Sequence, residues 1–206
     1  RLCVDTGYFE TFNKENVHLI DLHATPIEKV HPNSIEADET YEIDTLILAT
    51  GFDAMTGALT SLDILGRNEI NLRDQWKEGA KSYLGLGVRN FPNLFTITGP
   101  GSPSVLSNML PSIEQHVNWI AECIGWMLEN DKSVIESTKI AEDEWMELVN
   151  EIADMTIFTS TKSWYNGSNI EDKAKAFLPF IGVPVYTEKL EEITAAEYQG
   201  FIFDKS

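Results

Sequence analysis

Two stretches of the chain run apolar and then turn on small residues: Thr45-Leu46-Ile47-Leu48-Ala49-Thr50-Gly51 and Leu94-Phe95-Thr96-Ile97-Thr98-Gly99-Pro100-Gly101. An unbroken apolar run of this kind predicts a strand covered on both faces, the habit of parallel α/β sheets. In doubly wound sheets ligands sit beyond the carboxyl ends of strands, where glycine lets the backbone approach them. Glycine also marks ordinary turns, so spacing alone leaves both readings open.

The rest of the chain supports a mixed α/β reading. Ile113, Val117, Ile120, Ile124 and Met127 recur at three- and four-residue steps and predict a long helix over 112–129. Pro111 falls where a first helical turn tolerates it. Trp145, Leu148, Val149 and Ile152 predict a second helix over 141–156, and shorter helices are expected at 72–77 and 187–193. Residues 1–43 read as short extended pieces. Positions 16–22 alternate polar and apolar as a half-buried strand does, and 27–30 forms another candidate between Pro26 and Pro32.

Composition narrows the function classes. A formal net charge of −18 over 206 residues disfavours general binding of nucleic acid or anionic membranes. It does not bear on a nucleotide cofactor, which needs only a few local donors. Cys3 and Cys123 lie far apart, form no metal-ligand spacing and read as reduced thiols of a cytoplasmic protein. No apolar run approaches the roughly 18 residues of a membrane span, and no signal peptide is visible. The four histidines form no ligand set, and His116, inside the long helix, reads as a partner in a local hydrogen bond. Trp164-Tyr165 is open to two readings, a binding loop or a buried aromatic pair. The chain starts at Arg1 without an initiator methionine and leads straight into an apolar stretch, so it is read as a piece with its N-terminal side cut away.

Ordered motifs add a resemblance. Residues 1–13, Ala49-Thr50-Gly51-Phe52-Asp53-Ala54 and Tyr83-Leu84-Gly85-Leu86 are similar to segments of Baeyer–Villiger monooxygenases of the phenylacetone and cyclohexanone group. So are Gly99-Pro100-Gly101-Ser102-Pro103-Ser104-Val105-Leu106-Ser107-Asn108-Met109, Ser112-Ile113-Glu114-Gln115-His116-Val117, Ser163-Trp164-Tyr165-Asn166-Gly167-Ser168-Asn169-Ile170 and Tyr198-Gln199-Gly200-Phe201. An Ala-Thr-Gly turn alone is shared by many flavoproteins; the ordered set is far more specific.

The resemblance implies an α/β fold, the C-terminal portion of a flavoprotein with two Rossmann-like dinucleotide-binding domains. Residues 1–43 would be the last strands of the NADP-binding domain, and 44–206 the C-terminal part of the FAD-binding domain with its closing loop and tail. The implied activity is oxidation of a ketone by O2 to an ester or lactone through a flavin C4a-peroxide, with FAD and NADPH as cofactors. Arg1 aligns with the arginine that stabilises anionic oxygen over the flavin. Ala49, Thr50, Gly51, Phe52, Asp53, Gly99, Pro100, Met109, Trp164 and Lys173 are implied cofactor contacts, Trp164 meeting the nicotinamide nucleotide. Ser104, Val105, Leu106 and Met109 are implied to line the ketone pocket. No metal is implied. The dinucleotide fingerprints of relatives lie upstream of Arg1, so the partner of this piece would be the N-terminal half of its own domains. Two other readings stand beside this one: a related N- or S-oxygenating flavoprotein, and an inactive binding or structural fragment.

Overall fold

The structure is a computed structural model that describes residues 5–205. The chain forms two compact units, Arg1–Thr50 and Gly51–Ser206.

In the first unit, α1 (Tyr8–Thr11) begins where the Asp5 carboxylate accepts the Tyr8 N–H at 2.7 Å. Three short strands follow, β1 (Lys29–His31), β2 (Ser34–Glu36) and β3 (Thr40–Glu42), in an antiparallel meander with β2 central. Val30 faces Ile35 across the first hairpin and Ile35 faces Tyr41 across the second. None of the described residues of this unit is buried.

The strand expected at 16–22 is not formed, nor is the one at 45–51. Ile47 is 81% and Leu48 75% exposed. The reason is physical. A strand of continuous apolar residues is stable only between neighbours that take its N–H and C=O groups and cover both faces. The described residues supply no such neighbours. For the same reason 94–98 makes only an isolated bridge, Gly87 to Phe95, instead of a strand.

The second unit carries α2 (Gly57–Thr60), α3 (Leu72–Gln75), α4 (Met109–Glu129), β4 (Val134–Ser137), α5 (Lys139–Asp154), α6 (Val183–Ala195) and β5 (Phe201–Asp204). β4 and β5 pair antiparallel, from Val134 opposite Asp204 to Ser137 opposite Phe201. The predicted helices are all present with shifted ends. α4 starts at Met109 because the Asn108 side chain caps the Leu110 N–H at 3.2 Å, which places Pro111 third in the helix. α5 starts at Lys139 because the Thr138 hydroxyl accepts the Ala141 N–H at 3.2 Å. α6 begins four residues before the expected 187, with Pro184 in its first turn, where a missing N–H costs nothing.

The apolar stripe read from α4 is only partly its core face. The buried positions are Ser112, His116, Trp119, Cys123 and Met127, while Val117 is 45% and Ile124 44% exposed. Aromatic bulk decided the orientation. Trp119 meets Tyr198 edge-on at 5.2 Å, and Trp145 of α5 stacks on Phe180 at 5.0 Å. Such side chains remove more apolar area from water than valine or isoleucine, at roughly 25 cal/mol per Å2. In α5 the expected Trp145 and Val149 are buried, with Leu148 and Ile152 packed against the same core.

Two carboxylates are also buried, a feature sequence alone did not signal. Glu142 accepts the Arg89 N–H at 2.9 Å, and Glu136 accepts the Asn90 N–H at 2.8 Å and Arg67 Nε at 2.5 Å. Burial raises the Glu142 pKa against the opposing pull of the Arg89 N–H. Among the described residues, no helix is long and apolar enough to cross a membrane.

Candidate functional site

The second glycine turn is an interlocked, buried knot. Residues 99–104 are all buried. The Ser82 hydroxyl donates to the Pro100 carbonyl and accepts the Gly85 N–H at 3.0 Å. The Gly101 N–H donates to Leu178 O at 2.6 Å, and the Phe180 N–H to Ser102 O at 2.8 Å. Trp145 Nε1 closes on the Gly101 carbonyl at 3.0 Å. Within this knot the Ser104 hydroxyl is buried and has no hydrogen-bond partner among the described residues. A buried polar atom left unpaired is costly unless a ligand or neighbour completes it.

His116 sits beneath the turn. Its Nδ1 accepts the Thr98 N–H at 2.9 Å, and its Nε2 lies 2.8 Å from the Tyr186 hydroxyl, which donates to Leu84 O at 2.7 Å. Desolvation lowers the His116 pKa to about 4, and burial alone pushes the Tyr186 phenol well above its ordinary range. The local hydrogen-bond role expected for this histidine is therefore what the structure contains. Cys123, a free buried thiol, is pushed up to about 12 by desolvation, which leaves it unreactive.

The other site is an open cleft of about 240 Å3 whose walls come from segments over a hundred residues apart. One wall is the turn after Gly51, with Asp53 and Ala54; the other is the loop from Trp164 to Lys173. Lys173 Nζ pairs with Asp53 and reaches Ala54 O at 3.1 Å. Asn169 Nδ2 donates to Phe52 O at 3.0 Å. The loop is organised by a capping box in which Ser163 and Asn166 cap one another across the turn Trp164–Asn166. Asn166 is buried and donates to Thr161 O at 2.6 Å. On this platform Trp164 stacks on Tyr165 at 4.0 Å and stays 42% exposed, so it presents indole to the cleft. Arg73 and Lys77 bring positive charge to the lining, and Glu171 and Asp172 bring negative charge to it.

The sequence-predicted residues thus divide. Asp53, Trp164 and Lys173 are brought together in the cleft, with Phe52 tied to it through its carbonyl. Lys173 and Asp53 neutralise each other, so they act first as the clamp that joins the two walls. Gly99, Pro100 and Ser104 lie in the buried knot, and Val105, Leu106 and Met109 follow it, half-buried. Leu178 links the two places: it lines the cleft, and its carbonyl holds Gly101. Ala49 and Thr50 are exposed residues of the first unit. Arg1 lies outside the described residues, as does Cys3. Sequence reading missed Ser82 and Tyr186, and placed Asn166 and Asn169 in the Trp164 motif without a role of their own. Only the Ser163-to-Asn166 spacing carried a recognisable capping signal. Among the described residues, no group of three or more His, Cys, Asp or Glu could hold a metal ion.

No protein-family model matches the chain. The chain is 40% identical over 208 aligned residues to a Baeyer–Villiger monooxygenase of Pseudooceanicola batsensis, covering 100% of this chain and 38% of the relative. It is 39% identical over 198 residues to phenazine N-monooxygenase of Lysobacter antibioticus, covering 95% of this chain and 36% of that protein. Among solved structures, OTEMO in complex with FAD and NADP matches with a TM-score of 0.90 at 35% identity, over 99% of this chain and 38% of that one. The chain therefore spans a little over a third of the length of the curated relatives it matches. In sequence and fold it is similar to one part of flavoprotein monooxygenases. Within that class it resembles Baeyer–Villiger monooxygenases, as the ordered motifs anticipated, and to a similar degree phenazine N-monooxygenase.

Proposed function

We propose that this chain is the C-terminal part of an FAD- and NADPH-dependent Baeyer–Villiger monooxygenase, which converts a ketone and O2 into an ester or lactone. Residues 1–43 belong, on this reading, to its NADP-binding domain and 44–206 to its FAD-binding domain. The observation that carries it is the cleft in which Lys173, Asp53 and Asn169 hold the Trp164 loop against the turn after Gly51. That is a seat with an exposed indole to stack on a nicotinamide nucleotide. Arg73 and Lys77 in its lining could reach a phosphate despite Glu171 and Asp172 in the same lining.

The unpaired, buried Ser104 hydroxyl fits a polar ring edge, so Ser104 and Met109 would hold the flavin together with the backbone of the Gly99–Gly101 turn. When bound, FAD reduced by NADPH supplies the oxygen-activating chemistry. The chain's own residues bind, orient and stabilise charge. Trp164 offers an indole face and one N–H donor to the nucleotide. Ser104, Val105, Leu106 and Met109 shape the ketone pocket. Arg1, charged at every working pH, stabilises negative charge as it develops on oxygen.

The test uses the full-length protein with NADPH, labelled O2 and a panel of cyclic, aliphatic and aryl ketones. An ester or lactone carrying one labelled oxygen is expected. Trp164→Ala should raise KM for NADPH about tenfold and change kcat by less than about threefold, because it removes binding shared by ground and transition states. The likeness to phenazine N-monooxygenase favours a second reading, oxygenation of an aromatic nitrogen. An N-oxide from a heteroaromatic amine, with no ester from any ketone, would select it.

A further inference from the structure

We propose that His116 is a positioning residue, a fixed neutral Nε2–H imidazole that clamps Thr98 directly and Leu84 through Tyr186, and so sets the turn carrying Ser104, Val105 and Leu106. The proposal rests on the flavoprotein reading for its consequence in catalysis, and on geometry alone for the clamp.

The direction of every hydrogen bond in the relay is forced. The Thr98 N–H can only donate, so Nδ1 must present a lone pair. The Leu84 carbonyl can only accept, so it takes the single proton of the Tyr186 hydroxyl. The contact between Tyr186 and Nε2 is then left with one possible donor, the ring N–H. A second ring proton would place N–H against N–H at Thr98. The ring is fully buried, and neither ring partner carries a charge that would favour imidazolium.

Both ends of the relay hold backbone in a conformation that its residue disfavours. Thr98 has φ +53 and Leu84 φ +62, the left-handed region that β-branched and bulky residues avoid. Such strain persists only where surroundings over-determine it. The same two segments are joined again by the Thr96 hydroxyl, which donates to Gly85 O at 2.8 Å, and by the Thr96 N–H, which donates to Leu86 O at 2.9 Å. From Thr98 the chain passes directly into the buried turn, the 3-10 turn Ser104–Leu106 and α4, the helix that carries His116 itself. The loop is closed: α4 fixes the segment that leads into α4.

Two substitutions separate the clamp from the packing. His116→Asn keeps a carbonyl oxygen near the Nδ1 position, able to accept the Thr98 N–H, and loses Tyr186. His116→Gln keeps an amide near the Nε2 position and loses Thr98. In the full-length flavoprotein, His116→Asn, which keeps the Thr98 arm and loses only the Leu84 arm that Thr96 already backs up, should keep oxygenated product per NADPH within about twofold. His116→Gln should lower it about tenfold, with FAD content and KM for NADPH unchanged, since a small misplacement at the reacting site is enough for such a loss. Nitrogen-15 NMR of labelled histidine, assigned with the Asn variant, should show His116 as the Nε2–H tautomer from about pH 5 to about pH 9. Equal losses in the two variants, no loss in either, the opposite tautomer, or titration within that range would each overturn the proposal. If the wild-type protein oxygenates neither ketones nor amines, the proposed function fails. The clamp is then judged by the tautomer and by whether His116→Asn melts above His116→Gln.

Discussion

Gly85→Ala is expected to destabilise the protein by more than about 3 kcal/mol, among the largest losses a single methyl group can cause. Gly85 sits at φ +72, where an L side chain costs roughly 1–2 kcal/mol from backbone strain alone. A Cβ there would also lie 2.5 Å from Ser102 Cβ, 2.9 Å from Ser102 N and 3.0 Å from Gly99 O. Ser102 and Gly99 belong to the buried knot, so neither can yield without disturbing the hydrogen bonds to Leu178 and Phe180. The thermal midpoint should fall by roughly 10 °C. Gly125→Ala is the internal contrast. It lies in α4 with nothing within 4 Å of its added Cβ, and should raise stability by about 0.5–1 kcal/mol through helix propensity. If the two variants moved the midpoint by similar amounts, crowding at Gly85 would not be the cause.

On the proposed Baeyer–Villiger reading, Arg1→Ala in the full-length protein is expected to lower ester formation by at least about a hundredfold while NADPH oxidation stays measurable. A permanently charged guanidinium aimed at developing anionic oxygen contributes on the order of 3–4 kcal/mol to such a barrier. On that reading delivery of reducing equivalents should not depend on it. Arg1→Lys keeps the charge without the planar fork and should recover only part of the activity. Product and NADPH consumption are measured together, since the prediction concerns their ratio. Unchanged ester yield in Arg1→Ala would remove Arg1 from the proposed mechanism and leave the Trp164 cleft to be judged separately.

The motif Tyr83-Leu84-Gly85-Leu86 was legible as a family likeness, and its reason lies in contacts that sequence does not display. Tyr83 OH reaches Gln199 O at 2.9 Å, Leu84 O accepts from Tyr186, Gly85 O accepts from Thr96, and Gly85 gives Ser102 room. Each of these partners is at least eleven residues away in the chain.

What the sequence determined by itself was local or ordinal. The helices follow from three- and four-residue apolar steps and from caps such as Asn108 and Thr138, whose physics acts within a few residues. The order of the motifs was enough to point to the flavoprotein likeness. Tertiary structure decided the rest. It turned α4 so that Trp119 and His116, rather than Val117 and Ile124, face the core, because burial of the largest side chains outweighs the tidiness of an aliphatic stripe. It left 45–51 without the strand its apolarity predicts, because strand formation depends on neighbours that these described residues do not provide. It also paired Lys173 with Asp53, and His116 with Thr98 and Tyr186. Hydrogen bonds and ion pairs depend on distance and direction in space, and separation along the chain carries neither.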